Sequence, residues 1–348
     1  ETKSERKEKM SDKSDKKVCK MTSIGGQALL EGIMMKGPHK TVMATRLPDK
    51  TIDIEQLPEK HVKDKFKPFG WPIIRGSVNM IESLIMGYKA LMKSAEKLGI
   101  DEDDEEVKDS WLYKVFGEKL MAAVGAVAGV LGVALALVLF MWLPTVIFNL
   151  VNGIVTPSAA VSFPIKAVEN GVLDSWKGVF EGVLKIIIFL GYIALTALMK
   201  DIKRTYMYHG AEHKSIFCYE KGLPLTVENV RKQIRFHPRC GTSFLVLVLV
   251  VSILVSSLVL KIFPALKTVT WAWIIVKILL IPLIMGFGYE LIRFCGKHNN
   301  LLSKIVAAPG LWVQRLTTKE PEDDMIEVAI AALNEVIPEN PEDDVWGK

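Results

Sequence analysis

Two histidines and a carboxylate stand together at His209-Gly210-Ala211-Glu212-His213, an H-x-x-E-H pattern. On a helix, His209 and His213 share a face one turn apart, with Glu212 close to it. Neutral imidazoles at that spacing suit one divalent metal ion, zinc foremost. A carboxylate beside them can act as a base on water that the metal activates. The pattern is the inverted form of the zincin signature. A second donor pair follows at His237-Pro238-Arg239-Cys240, a His and a Cys three apart, a familiar zinc-ligand spacing. Cys19, Cys218, Cys240 and Cys295 show no disulfide framework, so reduced thiols facing the cytoplasm are expected, with Cys218 or Cys240 available to a metal.

These donors allow two ligand sets with different chemistry. His209, His213 and Glu290 would leave a position for water and make an open, catalytic site. Glu212 would then be the general base, and Arg239 or His237 would stabilise a developing oxyanion. His209, His213, His237 and Cys240 would instead close the site and make it structural.

The elements around the motif are apolar and long. No charged side chain occurs between Leu120 and Ile165, nor between Gly241 and Leu260. A membrane helix needs roughly 20 mostly apolar residues. Four such helices are expected, at about 120–143, 179–199, 242–261 and 269–289. The first should end before Pro144, with Asn149, Asn152, Pro157 and Pro164 in an outer loop or re-entrant piece. Lys and Arg crowd residues 200–241, whereas the connections before the second and fourth helices carry only Lys166, Lys177, Lys261 and Lys267. That bias places the basic loop, with its H-x-x-E-H motif, and both termini on the cytoplasmic side of the cell membrane.

The fold class expected is therefore a mostly α-helical polytopic membrane protein with a small N-terminal β-rich cytoplasmic unit and a C-terminal cytoplasmic helix. Residues 1–21 form a Lys-rich tail, read as disordered; any nucleic-acid contact would run through it. Residues 22–60 are the β-rich unit, with a Gly-rich turn at Ser23–Gln27 and a hairpin joining 41–45 to 51–57. Residues 70–99 form an amphipathic helix whose stripe Ile74, Val78, Ile81, Ile85, Tyr88 and Met92 suits packing on the protein, the expected choice, or lying in the membrane interface. An acidic linker covers 100–110. The first two membrane helices and their outer loop take 120–199, the basic loop 200–241, the last two helices 242–289, and the C-terminal segment 290–348. Within that segment Pro309-Gly310 reads as a breaker. A soluble helix then starts near Pro321 with the stripe Met325, Ala329, Leu333 and Val336. Two charges stand apart from this plan. Lys277 lies inside a membrane helix, either snorkelling outward or facing Glu181. Glu31 lies in a Gly-rich stretch, on a turn surface or approaching the site.

Several blocks together resemble the YqhQ-like family of membrane proteins from Gram-positive bacteria. They are Ile24–Met35, Arg75-Gly76, His209–Lys214, His237–Ser243, Tyr289-Glu290, Ala308-Pro309-Gly310 and Gln314–Thr318 with Glu327-Val328-Ala329. That family is a domain of unknown function, predicted to consist of metal-dependent enzymes, and the resemblance implies a polytopic membrane protein without supplying a reaction. The motif spacing is also similar to that of pitrilysin-type proteases, which use a distant Glu. Two functions are compatible with these residues, beside a transporter reading that rests on Lys277 alone. One is a membrane metallohydrolase, a peptidase foremost, acting on a peptide substrate with metal-activated water. The other is a non-enzymatic adaptor with a structural zinc site, binding a membrane-associated machine such as the protein export apparatus.

Overall fold

The computed structural model describes residues 21–58, 67–99, 127, 129–155, 173–298 and 300–344. The Lys-rich tail with Cys19, the acidic linker, the start of the first span and the expected outer loop with Pro157 and Pro164 lie outside these residues.

A four-stranded antiparallel sheet comes first. Strands β1 (Gly25–Leu29), β2 (Gly32–Lys36), β3 (Thr41–Arg46) and β4 (Ile52–Leu57) pair in sequence order. The expected Gly-rich turn is thus largely a strand. Glycine serves there because a Cβ on Gly26 would come within 2.7 Å of Met34 O and 3.0 Å of the Glu212 carboxyl carbon. Alternation splits the sheet's side chains between two faces. Leu29, Met34 and Met43 face helix α1 (Ile74–Lys97) through Ala90, while Ile33, Met35, Val42 and Ala44 join the larger core on the other face.

Among the described residues, four helices are long and apolar enough to cross a membrane: α2 (Gly129–Val155), α3 (Lys177–Thr196), α6 (Gly241–Ile262) and α7 (Thr270–Lys297). The first does not stop before Pro144. A π-helical stretch, Val138–Trp142, precedes the proline, and its wider turn accommodates both the ring and the missing N–H. Asn152 therefore lies on a helix, where it accepts from Leu173 N at 3.0 Å and donates to Asp174 at 2.8 Å, tying α2 to the start of α3.

The basic stretch between α3 and α6 is mostly helical. It holds α4 (Lys200–Glu220) and the short α5 (Val227–Arg231). Helix α4 ends where Gly222 takes φ 63°, the left-handed conformation glycine adopts freely. Gly222 N bonds Tyr219 O at 2.8 Å and Leu223 N bonds Cys218 O at 3.1 Å, a Schellman closure. After α7 come α8 (Leu301–Thr317) and α9 (Asp323–Val336). Pro309 lies inside α8 rather than breaking it, next to Gly310, which lies flush on Ser243 of α6. Met325, Ala329, Leu333 and Val336 of α9 are buried, as their spacing predicts, and pack with Tyr208, Ala211 and Cys218 of α4 beneath the sheet.

Helix α1 reverses one expectation. Its apolar stripe is exposed at Ile74, Ile81, Ile85, Tyr88 and Met92, and its buried face is made of Gly76, Gly87, Ala90, Ser94 and Ala95. Close approach explains the choice. Gly76 meets Tyr289 and Gly286 of α7, and Gly87 meets the Gln27 amide, contacts that a larger residue would prevent. Glu31 ties the sheet to α4, because its carboxylate accepts from Arg204 at 2.5 and 2.6 Å and from Tyr208 Oη at 3.1 Å.

Candidate metal centre

Helix α4 presents His209 and His213 on one face, with ring centroids 4.4 Å apart. Each imidazole is oriented through its Nδ1. That of His209 lies 2.9 Å from Thr317 O, and that of His213 lies 2.5 Å from Arg235 O. Backbone carbonyls only accept, so each Nδ1 carries the proton and each Nε2 keeps its lone pair in the neutral ring. This is how outer carbonyls orient metal-bound histidines. The Thr317 carbonyl arrives by tight packing. A Cβ on Gly210 would overlap Lys319 O, and Lys319 N bonds Tyr206 O at 2.8 Å, so the chain after α8 lies directly on α4.

Cys240 completes the group. It is the N-cap of α6, and its Sγ lies 3.1 Å from His209 Nε2 and 3.4 Å from Thr242 N. The donor atoms of His209, His213 and Cys240 all lie within 4.8 Å of one another. Tetrahedral zinc, with Zn–N about 2.0 Å and Zn–S about 2.3 Å, would set such atoms roughly 3.5 Å apart, so the His209–Cys240 pair would open by about 0.4 Å and a wider pair would close by about 1.3 Å at most. Burial alone would raise the Cys240 thiol, but His209 and His213 draw it well below its ordinary value. Burial would likewise lower His209, but the neighbouring thiolate holds it up to about 9. The thiolate that a metal requires is thus favoured by its surroundings, aided by the helix N-terminus.

Glu212 sits against this trio, buried. Its Oε1 accepts from Gly26 N at 3.0 Å, and its Oε2 has no partner among the described residues. Burial raises its pKa, with His213 and His209 pulling the other way. An orphaned buried carboxylate oxygen beside three convergent donors fits a site that takes an ion and a water.

The other expected site residues have other work. His237 packs its ring 5.5 Å from that of His213, but its Nε2 lies 3.7 Å from Glu220 and its Nδ1 accepts from Arg239 N at 3.4 Å. Burial takes His237 down to about 4, against the pull of Glu220. The four-donor set with His237 is therefore not assembled. Arg239 ion-pairs with Glu220 in a buried contact instead of facing the trio. Glu290 does not join the trio either: Arg75 holds it through two bonds of 2.6 Å, drawn from α1. Three donors that could hold a metal ion do come together, with Cys240 rather than Glu290 beside the two histidines.

Gln314 is a supporting residue that pattern reading missed. It is fully buried, accepts from His237 N at 2.7 Å, and donates to His237 O at 2.6 Å and Ser243 Oγ at 2.8 Å. It clamps the segment leading into Cys240 onto α8. Gly26, Arg235 and Thr317 act through backbone atoms, which residue type does not reveal. Gly26, Gln314 and Thr317 do fall inside blocks quoted above for the resemblance.

Comparison with known proteins agrees with that resemblance. The chain is 36% identical over 316 residues to the uncharacterized protein YqhQ of Bacillus subtilis (strain 168), covering 90% of this chain and 92% of that one. No solved structure matches. Residues 71–339 match the protein family of unknown function DUF1385, and the chain belongs to that family.

Proposed function

We propose that this chain is a multi-pass membrane metallohydrolase, its catalytic centre formed by His209, His213 and Cys240 with Glu212 as general base. The observation that carries this reading is the combination of three converging donors and the unpartnered Oε2 of Glu212. Three protein ligands with a vacant fourth position are the arrangement of catalytic zinc sites, whereas structural sites close with four. A divalent ion held there, zinc foremost, supplies a Lewis acid and lowers the pKa of water toward neutrality. Glu212 Oε2 takes the proton from the attacking water and returns it to the leaving group. Gly26 N keeps Oε1 fixed while this happens. An extended peptide suits the position, because β1 is an edge strand of the sheet and reaches the centre at Gly26. The charge bias of the connections supports a centre on the cytoplasmic face, with the bilayer as the bundle's solvent.

Metal analysis of the purified full chain tests this. One divalent ion per chain is expected, lost in a His209→Ala/His213→Ala variant and in Cys240→Ser. Glu212→Gln should keep the ion and lose hydrolysis of a peptide library. Wild-type protein purified without metal, after incubation with zinc, refutes the centre. Unchanged hydrolysis by Glu212→Gln refutes the role of the carboxylate. A cobalt-substituted protein should show thiolate-to-metal absorption that Cys240→Ser abolishes.

A further inference from the structure

A second polar cluster lies inside the helix bundle, well away from the metal centre. Lys177, Glu181 and Lys185 stand at four-residue intervals on one face of α3, and all three are buried. Lys277 of α7 meets Glu181 at 2.5 Å and donates to Thr145 Oγ1 at 2.7 Å. Trp273 Nε1 donates to the same Glu181 carboxylate at 3.1 Å. Lys177 donates to Lys267 O at 2.7 Å and lies over the Phe148 ring. Lys185 is different. Only 6% exposed, it has no hydrogen-bond or ion-pair partner among the described residues. Glu181 neutralises one of three ammonium groups, so the cluster carries excess positive charge.

Lys185 and Lys277 both line a cavity of about 140 Å³ between α2, α3, α6 and α7. Ser252 and Ser256 add hydroxyls to its wall, and the rest, Phe140 and Ile284 included, is apolar. A cavity this size exceeds by several-fold the ~10–15 Å³ that one water needs. An unpaired ammonium in hydrocarbon costs several kcal/mol, and such groups mark binding or transport pathways. Ser252 and Ser256 lie 12 and 16 residues beyond Cys240 along α6, or about 18–24 Å at 1.5 Å per residue. The cavity is therefore separate from the metal centre.

We propose that this cavity binds a monoanionic amphiphile, its carboxylate or phosphate-ester group against the Lys185 ammonium and its apolar chain along the helix walls. The inference rests on the membrane part of the proposed function and is independent of the metal. A lipid is the favoured source, because the wall is apolar apart from the two lysines and two serines.

Full-length protein in a neutral detergent is titrated with oleate, phosphatidylglycerol, phosphatidylcholine and inorganic phosphate, with bound species counted by native mass spectrometry. Wild type should favour oleate or phosphatidylglycerol over phosphatidylcholine by at least about tenfold. Lys185→Met should bring that preference within about twofold, and Lys185→Arg should restore it. Monodisperse elution of Lys185→Met guards against misfolding. A wild-type protein without preference overturns the site, as does Lys185→Met binding like wild type. Inorganic phosphate displacing oleate at equal concentration overturns the amphiphile and puts a free solute anion there. Fractionation separates the two levels: recovery of the chain outside membranes refutes the membrane reading, whereas a membrane-bound chain with no anion preference refutes only this site.

Discussion

Replacing Gln314 by Leu should weaken metal binding without touching a ligand. The Gln314 side chain makes three bonds, to His237 N, His237 O and Ser243 Oγ, all buried. Leucine matches its bulk but makes none of them. A buried group left unpaired costs about 1–3 kcal/mol. Ser243 Oγ can turn to a carbonyl of its own helix, so two losses count in full and the variant should be about 2–6 kcal/mol less stable. The effect on the metal follows from connectivity. His237 is three residues before Cys240, and the chain between them is held at its start by Gln314. Freeing it lets Sγ drift from the 3.1 Å contact with His209 Nε2. Loss of outer support of this kind typically costs 10–100-fold in affinity. Competition against a chromophoric chelator measures it, with thermal unfolding of the metal-free protein recorded in parallel. Gln314→Glu keeps the acceptor for His237 N but turns a carboxylate oxygen toward His237 O, so its affinity should fall as far or further. Zinc affinity within twofold of wild type in the Leu variant would show that Gln314 does not position Cys240.

Four further outcomes are expected. Gly210→Ala should lower zinc affinity about tenfold, because its Cβ displaces Lys319 O and with it the Thr317 carbonyl that orients His209; equal affinity would refute the contact. Glu212→Gln should lower hydrolysis by about 10²–10⁴-fold at unchanged metal content, read from initial rates and metal analysis together. The Arg204 bonds hold Glu31 below the free value of 4.5, so its contribution is complete above about pH 4.5 and is lost as pH falls through the depressed value. Unfolding midpoints from pH 7 to 3 should therefore fall less steeply in Glu31→Gln. Lys277→Met should destabilise by about 3–5 kcal/mol by leaving Glu181 charged in the bundle without its ammonium partner, and Glu181→Gln added to it should recover most of the loss in a double-mutant cycle.

Helix positions were legible in the sequence because apolar length is a direct signal. The four spans follow from it alone, and the α9 stripe from its helical spacing. Their ends were less legible, since Pro144 and Pro309 are tolerated only through a π turn and through packing on α6, neither visible in residue type. The α1 stripe misled for a related reason. Periodicity reports that a helix has an apolar face, not that the face turns toward protein. Gly76, Gly87 and Ala90 were the better guide, because close helix contact demands small residues. On the sheet, Gly26 read as part of a turn because the demand for glycine came from Met34 O on the neighbouring strand and from Glu212, 186 residues away.

The same distance in sequence explains why the third ligand had two candidates. His209 and His213 announce each other by spacing, but the choice between Glu290 and Cys240 depends on which helix end reaches α4. Two physical facts decide it. Glu290 already has a bidentate partner in Arg75, which α1 brings to α7 through the Gly76 contact. Cys240 sits at the N-terminus of α6, where backbone N–H groups and two imidazoles favour the thiolate. The carboxylate is thus spent on holding α1 against the bundle, and the thiolate is left facing the histidines. Loss of Arg75 would not recruit Glu290 to the metal, because the trio is already assembled on α4 and α6; it would loosen α1 and the sheet whose β1 strand holds Glu212 in place.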